Sequence, residues 1–459
     1  MTAGILHVEV IISNDPGTFI RTDLIQQRLS GCLSNKYSFF PTHQTVQTSD
    51  DGCPDTNHIS SITMREIEGM PLPSPTYIPR EDVELQIHVY RLSLPSSNAG
   101  IAIETDELSN CLSVSSLPDS NFENEFNGLA FEDDLQYSLL HMVTKSLALD
   151  RPPQNAGKAI LLHGLPGTGK SSLCRVVAHK ATIRLGSAFL SSCLIEVNAS
   201  GLLHHSLGES QHLVSKIFDK IDEIAFDDRT LCFVLFDEVE SIASNRLDEI
   251  SRESGNNEVL RATNRLLAVL DKLSSLRNVV VFCTSNLVEV LDRAFLTRMH
   301  LMQTVSLPDL KTRYHILRMA VAALLEQGQI LCHGSTCPES LHDYTPSADS
   351  EMHWTARQIA MSKIGHHAPG HGSYYESVLQ NQDPVTNFVM AKSMLYSGLA
   401  CLTTDALLLA MCSDGLCGRT LARVPAVAVT LASSARPVPR DEAFRVIYAA
   451  LRQALADGR

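Results

Sequence analysis

Three apolar runs in the middle of the chain end in small or charged residues: Ala159–Leu162, Leu231–Phe236 and Asn278–Thr284. Runs of this kind, with no alternation, predict strands buried on both faces of a parallel sheet. The first is followed by a glycine-rich turn and then by helical spacing over Ser172–Ala178. Strands alternating with helices predict an α/β core. Phe131–Leu149 reads as an amphipathic helix leading into the first core strand. Beyond the core, helical spacing recurs over Lys311–Gln327, Thr386–Cys401, Leu416–Leu431 and Arg440–Leu455, which predicts a helical C-terminal lid. At the other end Ile5–Ile12 reads as a strand and Asp23–Leu33 as a short helix. Val83–Tyr90 alternates as a half-buried strand, after an irregular connection marked by Pro71, Pro73, Pro75 and Pro79. The fold expected is therefore a small α+β domain over 1–95 and a polar linker over 96–121. A parallel sheet flanked by helices follows over 122–310, then a helical domain over 311–459 with a polar insertion at about 331–384.

The turns between these elements carry the chemistry. Gly164-Leu165-Pro166-Gly167-Thr168-Gly169-Lys170-Ser171 fits the phosphate-binding pattern G-x-x-x-x-G-K-[ST], placed between a strand and a helix as that pattern requires. Glycines let the backbone wrap phosphates, and the helix N-terminus adds partial positive charge. Lys170 then reaches the β- and γ-phosphates and Ser171 ligates Mg²⁺. The second run ends in Asp237-Glu238. Asp237 is placed to hold Mg²⁺ through its water shell, and Glu238 to polarise an attacking water. The third ends in Ser285-Asn286, a neutral amide able to bond the γ-phosphate or the lytic water. The candidate set for ATP and Mg²⁺ is thus Gly164, Leu165, Pro166, Gly167, Thr168, Gly169, Lys170, Ser171, Ser172 and Asp237, with Glu238 and Asn286 catalytic. Arg293 and Arg298 follow in Leu291–Arg298. They read either as solvated helix charge or, for Arg298, as an arginine reaching a neighbouring subunit's site.

Composition narrows the partners. The chain has 459 residues, 44% of them hydrophobic, and a formal net charge of -14, which argues against a broad nucleic-acid-binding face and against a clamp-loader type of machine. Its twelve cysteines are scattered without a C-x-x-C, as expected of reduced, buried thiols. No apolar run is long enough to cross a membrane, and the N-terminus lacks a secretory pattern, so a soluble intracellular protein is expected. The polar stretch with Cys332-His333, Cys337, His366-His367 and His371 reads as an insertion rather than a zinc site, because no compact ligand spacing is present.

The order of these motifs resembles the AAA+ ATPases, and the local wording resembles their pachytene checkpoint (thyroid-hormone-receptor-interactor) branch. The resemblance rests on Gly164–Cys174, Ile183-Arg184-Leu185, Leu194–Asn198, Leu203–Ser210, Phe233–Ser241, Cys283–Asn286 and Asp414–Arg419. It is dense over about 159–310 and returns at 413–425. The resemblance implies a homo-hexameric ring that remodels HORMA-domain proteins, engaged through residues 1–95 directly or by way of an adaptor. It implies roles in meiotic recombination, the chromosome axis and the spindle checkpoint, in nucleus and cytoplasm. It makes Asn127–Ala130 part of the adenine pocket and Arg419 a lid arginine touching the γ-phosphate. It places Ser206 and Leu207 at the pore positions where the family carries an aromatic grip. Leu203–Ser210 holds no Phe, Tyr or Trp; His204 and His205 are its only rings. Two function classes stay open: an ATP-driven remodeller, and an ATP-gated binding scaffold that pulls weakly.

Overall fold

A computed structural model of the protein describes residues 4–13, 21–41, 44–46, 58–68, 77–93, 111–123, 125–132, 135–148, 158–199, 209–243, 256–331, 402–432 and 437–458. The chain gathers into two compact units. The first comprises Met1–Phe126, Gln136–His163 and Ser171–Gln303; the second comprises Asn127–Leu135, Gly164–Lys170 and Thr304–Arg459. Ser206, Leu207, the insertion expected at 331–384 and the helix expected over Thr386–Cys401 lie outside the described residues, Leu331 excepted.

In the first unit, β1 (Gly4–Ile12) is central to a sheet of order β3-β4-β1-β6. Its partners are β3 (Gln44–Val46), β4 (Ile59–Glu68) and β6 (Val83–Tyr90). β2 (Phe39–Pro41) and β5 (Tyr77–Pro79) form a separate antiparallel pair. β1 runs antiparallel to β4 and parallel to β6. The even phase of β1 (Leu6, Val8, Val10, Ile12) packs with Ile25, Leu29 and Leu33 of helix α1 (Thr22–Lys36), whose four-residue spacing lines one helix face. The odd phase holds His7 and Glu9, yet these are buried as well, at 7% and 1% exposure. The alternation read from β6 likewise fails in its second half, where His88 and Tyr90 are buried. The polar face of this sheet is covered rather than solvated.

The same unit carries a six-stranded sheet of order β12-β8-β11-β10-β9-β7. Its strands are β7 (Leu112–Leu117), β8 (Ala159–His163), β9 (Ser191–Asn198), β10 (Thr230–Asp237), β11 (Val279–Ser285) and β12 (Leu301–Thr304). β8, β11, β10 and β9 pair in parallel. Every residue of β11 is buried, and so are the six interior positions of β10, as their unbroken apolar runs require. The flanking helices are α2 (Leu135–Ala148), α3 (Lys170–Arg184), α4 (Glu209–Ala225) and α5 (Asn256–Ser275). One expectation needs correction here. Residues 112–117, read as linker, form β7, which pairs antiparallel with β9. A short edge strand that is half serine lacks the apolar run that exposes a central strand to sequence reading. A second correction concerns the helix read from Phe131: it begins at Leu135. Glu132-Asp133-Asp134 is an acidic run suited to a helix start rather than its interior.

The second unit is helical: α6 (Leu310–Glu326), α7 (Leu402–Cys412), α8 (Gly418–Ala432) and α9 (Arg440–Ala456). Tyr314, Leu317, Leu407, Leu421, Phe444, Ile447 and Leu451 form its core. α7 escaped the sequence reading because Leu402–Cys412 is apolar nearly all round and has no amphipathic period. Seven described cysteines are free and six of them are buried, whereas Cys32 is disulfide-bonded, against the expectation of reduced thiols throughout. Among the described residues no helix is long and apolar enough to cross a membrane.

Candidate active site

Two constellations carry the predicted residues. The first lies at the C-terminal ends of the parallel strands, where open α/β sheets place their ligands. Ser171, in the first turn of α3, donates its Oγ hydrogen to Asp237 Oδ1 at 2.7 Å. Thr284, one residue from the end of β11, also bonds Asp237 Oδ1 through its hydroxyl. Its Oγ1 accepts from the Glu238 backbone N–H at 3.2 Å. β11 is the strand between β8 and β10, so Ser285-Asn286 ends beside Asp237-Glu238.

Glu238 is exposed and adopts φ 57, ψ 50, the one left-handed non-glycine among the described residues. That conformation costs on the order of 1–2 kcal/mol for a side-chain-bearing residue, and such strain concentrates at functional sites. Asn286 donates from its backbone N and from Nδ2 to Glu240 Oε1, at 3.1 and 3.2 Å. Sequence reading picked out neither Thr284 nor Glu240 as a site residue. Thr284 was visible as the last residue of its strand, and Glu240 stood within the family-like stretch Phe233–Ser241 without a role of its own.

A Ser171 hydroxyl and an Asp237 carboxylate this close form an all-oxygen donor pair on two rigid elements. Mg²⁺ takes one or two protein oxygens and completes its shell with water and phosphate, so the residues present fit it. Among the described residues no group of three or more His, Cys, Asp or Glu could hold a metal by protein ligands alone.

The second constellation is the phosphate loop with the C-terminal helices. A Cβ on Gly164 (φ +139) would lie 2.4 Å from the Val305 carbonyl oxygen, so only glycine fits. At Gly169 (φ +96) the Phe131 ring stands 3.3 Å from where a Cβ would be. Thr168 Oγ1 donates to the Leu165 carbonyl at 2.9 Å. Lys170 Nζ donates to the Gly164 and Leu165 carbonyls at 2.7 and 2.8 Å, which curls the side chain inside the loop. Pro166 and Gly167 complete the turn, with Gly167 at φ +76. Ser172 follows in α3.

Arg419, exposed near the start of α8, donates its backbone N–H to the Gly167 carbonyl at 3.0 Å. The turn that precedes it is anchored by buried Arg313, whose guanidinium bonds the Ala410 and Pro308 carbonyls and Asp414 Oδ1 at 2.9, 2.9 and 2.7 Å. The loop thus brings together a buried lysine, glycines at positive φ and the backbone of Arg419.

Arg298 stands apart from both sets. Its guanidinium makes a two-pronged pair with Asp271 of α5, Nε to Oδ1 at 2.8 Å and Nη2 to Oδ2 at 2.9 Å. Nη1 caps the Ala294 carbonyl at 2.7 Å. Within its own chain it is held along the side of α5 and is partly exposed.

Comparison with known proteins agrees with these features. The family model for ATPases associated with various cellular activities matches residues 160–307, and the model of the TRIP13 N-terminal domain matches residues 1–95. The chain is 38% identical over 264 residues to a pachytene checkpoint protein 2 homolog of Arabidopsis thaliana, covering 54% of this chain and 56% of that protein. It is 33% identical over 268 residues to a putative pachytene checkpoint protein 2 of Caenorhabditis elegans, covering 56% and 63%. These matches span little more than half the length of the relatives. A solved structure of C. elegans PCH-2 superposes with a TM-score of 0.63 at 22% identity, covering 98% of this chain and 99% of that one, a likeness of fold.

Proposed function

The chain belongs to the AAA ATPases and carries the N-terminal domain of their pachytene checkpoint branch, and on that premise we propose that it hydrolyses ATP to remodel a HORMA-domain protein. The observation that carries the ATPase part is the contact of Ser171 with Asp237 beside a strained Glu238 and the amide of Asn286. Lys170 and the backbone of the Gly164–Gly169 loop bind the phosphates. Ser171 and Asp237 would hold Mg²⁺, which would supply positive charge against the phosphates when bound. Glu238 accepts a proton from water as that water attacks the γ-phosphorus. The bond to the β–γ bridging oxygen breaks, giving ADP and phosphate. Arg419 binds the γ-phosphate from its own chain, and Arg298 acts on the site of a neighbouring copy in a homo-hexamer. The N-terminal domain engages the substrate, directly or through an adaptor. The setting is the meiotic chromosome axis, its recombination checkpoint and the spindle checkpoint, in nucleus and cytoplasm.

The family branch and the completeness of the phosphate-binding set support this reading. The test is ATP-dependent unfolding of a tagged HORMA-domain protein. Wild type should unfold it, and Glu238→Gln should bind ATP with turnover down about 10²-fold or more and no unfolding. Normal turnover in Glu238→Gln would overturn the site assignment.

The alternative, an ATP-gated scaffold that holds partners without threading them, is favoured by one feature, the lack of Phe, Tyr or Trp across Leu203–Ser210. Wild-type turnover without unfolding, together with unfolding gained in Ser206→Trp, would favour it over the remodeller.

A further inference from the structure

Arg298 is braced by two elements that are themselves fixed. Its guanidinium takes both carboxylate oxygens of Asp271, Nε to Oδ1 at 2.8 Å and Nη2 to Oδ2 at 2.9 Å. Nη1 donates to the Ala294 carbonyl at 2.7 Å. Asp271 lies on α5 beside Leu270 and Leu273, both buried, which anchor that stretch of the helix in the core under the sheet. Ala294 belongs to the helical turn Arg293–Leu296, whose start is capped by Asp292 Oδ1 accepting from the Ala294 N–H at 2.6 Å. Phe295 of the same turn is fully buried. Both braces are thus tied to the core.

A guanidinium carries five N–H donors in one rigid plane. Three are engaged by Asp271 and Ala294, and among the described residues two remain, one on each terminal nitrogen. An arginine without such braces spreads over many rotamers and gives up that freedom each time it meets a phosphate. We propose that Asp271 is a positioning residue for hydrolysis in the neighbouring copy: it fixes the Arg298 guanidinium and keeps the last two N–H groups for that copy's γ-phosphate. This rests on the reading above that Arg298 acts on a neighbour's site.

A carboxylate beside an arginine has two opposed effects on rate. It offsets part of the positive charge, and it aligns the group that bears that charge. The Asp271 side chain is 57% exposed and that of Arg298 31%, so water screens the charge offset. Two parallel bonds to one planar group set its orientation whatever the screening. Alignment therefore outweighs neutralisation, and the pair speeds the neighbour's reaction. An ion pair this exposed adds little to folding stability, so variants at Asp271 keep the fold.

The experiment uses the full chain, with steady-state ATP turnover, nucleotide affinity by calorimetry and assembly by sedimentation. Asp271→Ala should lower turnover about 10-fold while affinity and assembly stay within about 2-fold of wild type. Asp271→Asn keeps one acceptor oxygen and should fall between, about 3-fold slower; it replaces the alanine variant should that one fail to fold. The double variant Asp271→Ala/Arg298→Ala should be no more than about 2-fold slower than Arg298→Ala alone, because both remove one function. Mixed one to one with Glu238→Gln, which contributes intact arginines, Asp271→Ala should lag wild type mixed the same way by only about 2-fold. Half of its working sites then face an intact neighbour. A role confined to its own chain would leave that lag at about 10-fold, and would overturn the proposal. So would additive losses in the double variant, or faster turnover in Asp271→Ala, which marks the pair as a latch that parks the arginine. Normal turnover in Arg298→Ala would sink the reading of Arg298, and this proposal with it; a slow Arg298→Ala beside a normal Asp271→Ala would sink this proposal alone.

Discussion

Lys180 Nζ lies 2.7 Å from Glu9 Oε2, with both side chains shut off from solvent. One residue is on α3, the helix that begins at the phosphate loop; the other is on the central strand of the N-terminal domain. Glu9 also pairs with Arg65 of β4 at 2.6 Å and Arg184 of α3 at 3.7 Å. A second carboxylate, Glu123, pairs with Arg65 at 2.9 Å and accepts from the Tyr90 hydroxyl at 3.0 Å. It also accepts from His179 Nε2 at 3.3 Å, since His179 Nδ1 is taken up by the Asp119 N–H. Burial alone pulls the Glu9 carboxyl upward, but Lys180, Arg184 and Arg65 outweigh it and hold the group well below the carboxylate range. The N-terminal sheet is therefore joined to α3 by a dry cluster of opposite charges.

Breaking that cluster on one side should cost more than removing it. Glu9→Gln leaves Lys180, Arg65 and Arg184 with only Glu123 and Glu66 as counter-charges in a buried cluster, and should lower unfolding stability by about 3 kcal/mol. Lys180→Met should cost less, since Glu9 keeps two arginines. The double variant should fall short of the sum of the singles by about 1 kcal/mol or more, read by urea denaturation of each protein. Strict additivity would mean that the two charges do not interact across the cluster.

The cluster also marks where the sequence stops being legible. Strands β8, β10 and β11 could be read because burial on both faces leaves an apolar run, and the phosphate loop because its chemistry is local. The odd phase of β1 carries His7 and Glu9, and nothing local marks them as buried. Its burial depends on Lys180 and Arg184, far along the chain, and no periodicity encodes a distant partner. Ser171, Asp237 and Asn286 were found by motif, but the acceptor for Asn286 was not. Glu240 lies in the family-like stretch Phe233–Ser241, but its bond to Asn286 exists only once Glu238 turns the chain back. The partner of Arg298 was hidden for the same reason, Asp271 being a surface residue of a separate helix.

Acid should loosen this same region. His7 Nδ1 and His88 Nε2 lie 3.1 Å apart, so one ring nitrogen donates and the other accepts. Burial, then Arg184, drives the His7 imidazole down to about 3 from an ordinary 6.5, against the pull of Glu9. His88 and His179 are also lowered, chiefly by burial. The other charged groups around them are Glu68, which bonds His7 and His141, and Glu123 and Lys180 beside His179. Because the folded values lie below the unfolded one, the unfolded chain binds more protons in acid. Stability is complete above about pH 6.5 and is lost as pH falls toward 3. Between pH 7 and 5.5 His7 should remove roughly 1 kcal/mol and His88 and His179 should add to the loss, measured by denaturation across pH. His88→Gln should flatten the slope by about one histidine's share; an unchanged slope would show that these rings are not the titrating groups.

Arg298 and Arg419 should differ in whose site they serve. Arg298 is braced on Asp271 along α5, and Arg419 is hydrogen-bonded through its backbone to the phosphate loop of its own chain. Arg298→Ala and Glu238→Gln proteins should each be nearly inactive, with loss of the arginine costing about 10³-fold or more. Mixed one to one, they should regain activity. In a ring assembled at random about a quarter of the interfaces join an intact arginine from one subunit to an intact glutamate in the next. Mixing Arg419→Ala with Glu238→Gln should regain nothing, since no chain then holds both groups. The check is ATP turnover after subunit exchange, with sedimentation confirming that mixed assemblies form. Recovery in the second mixture and none in the first would reverse the two roles, placing Arg419 in the neighbour's site and Arg298 in its own.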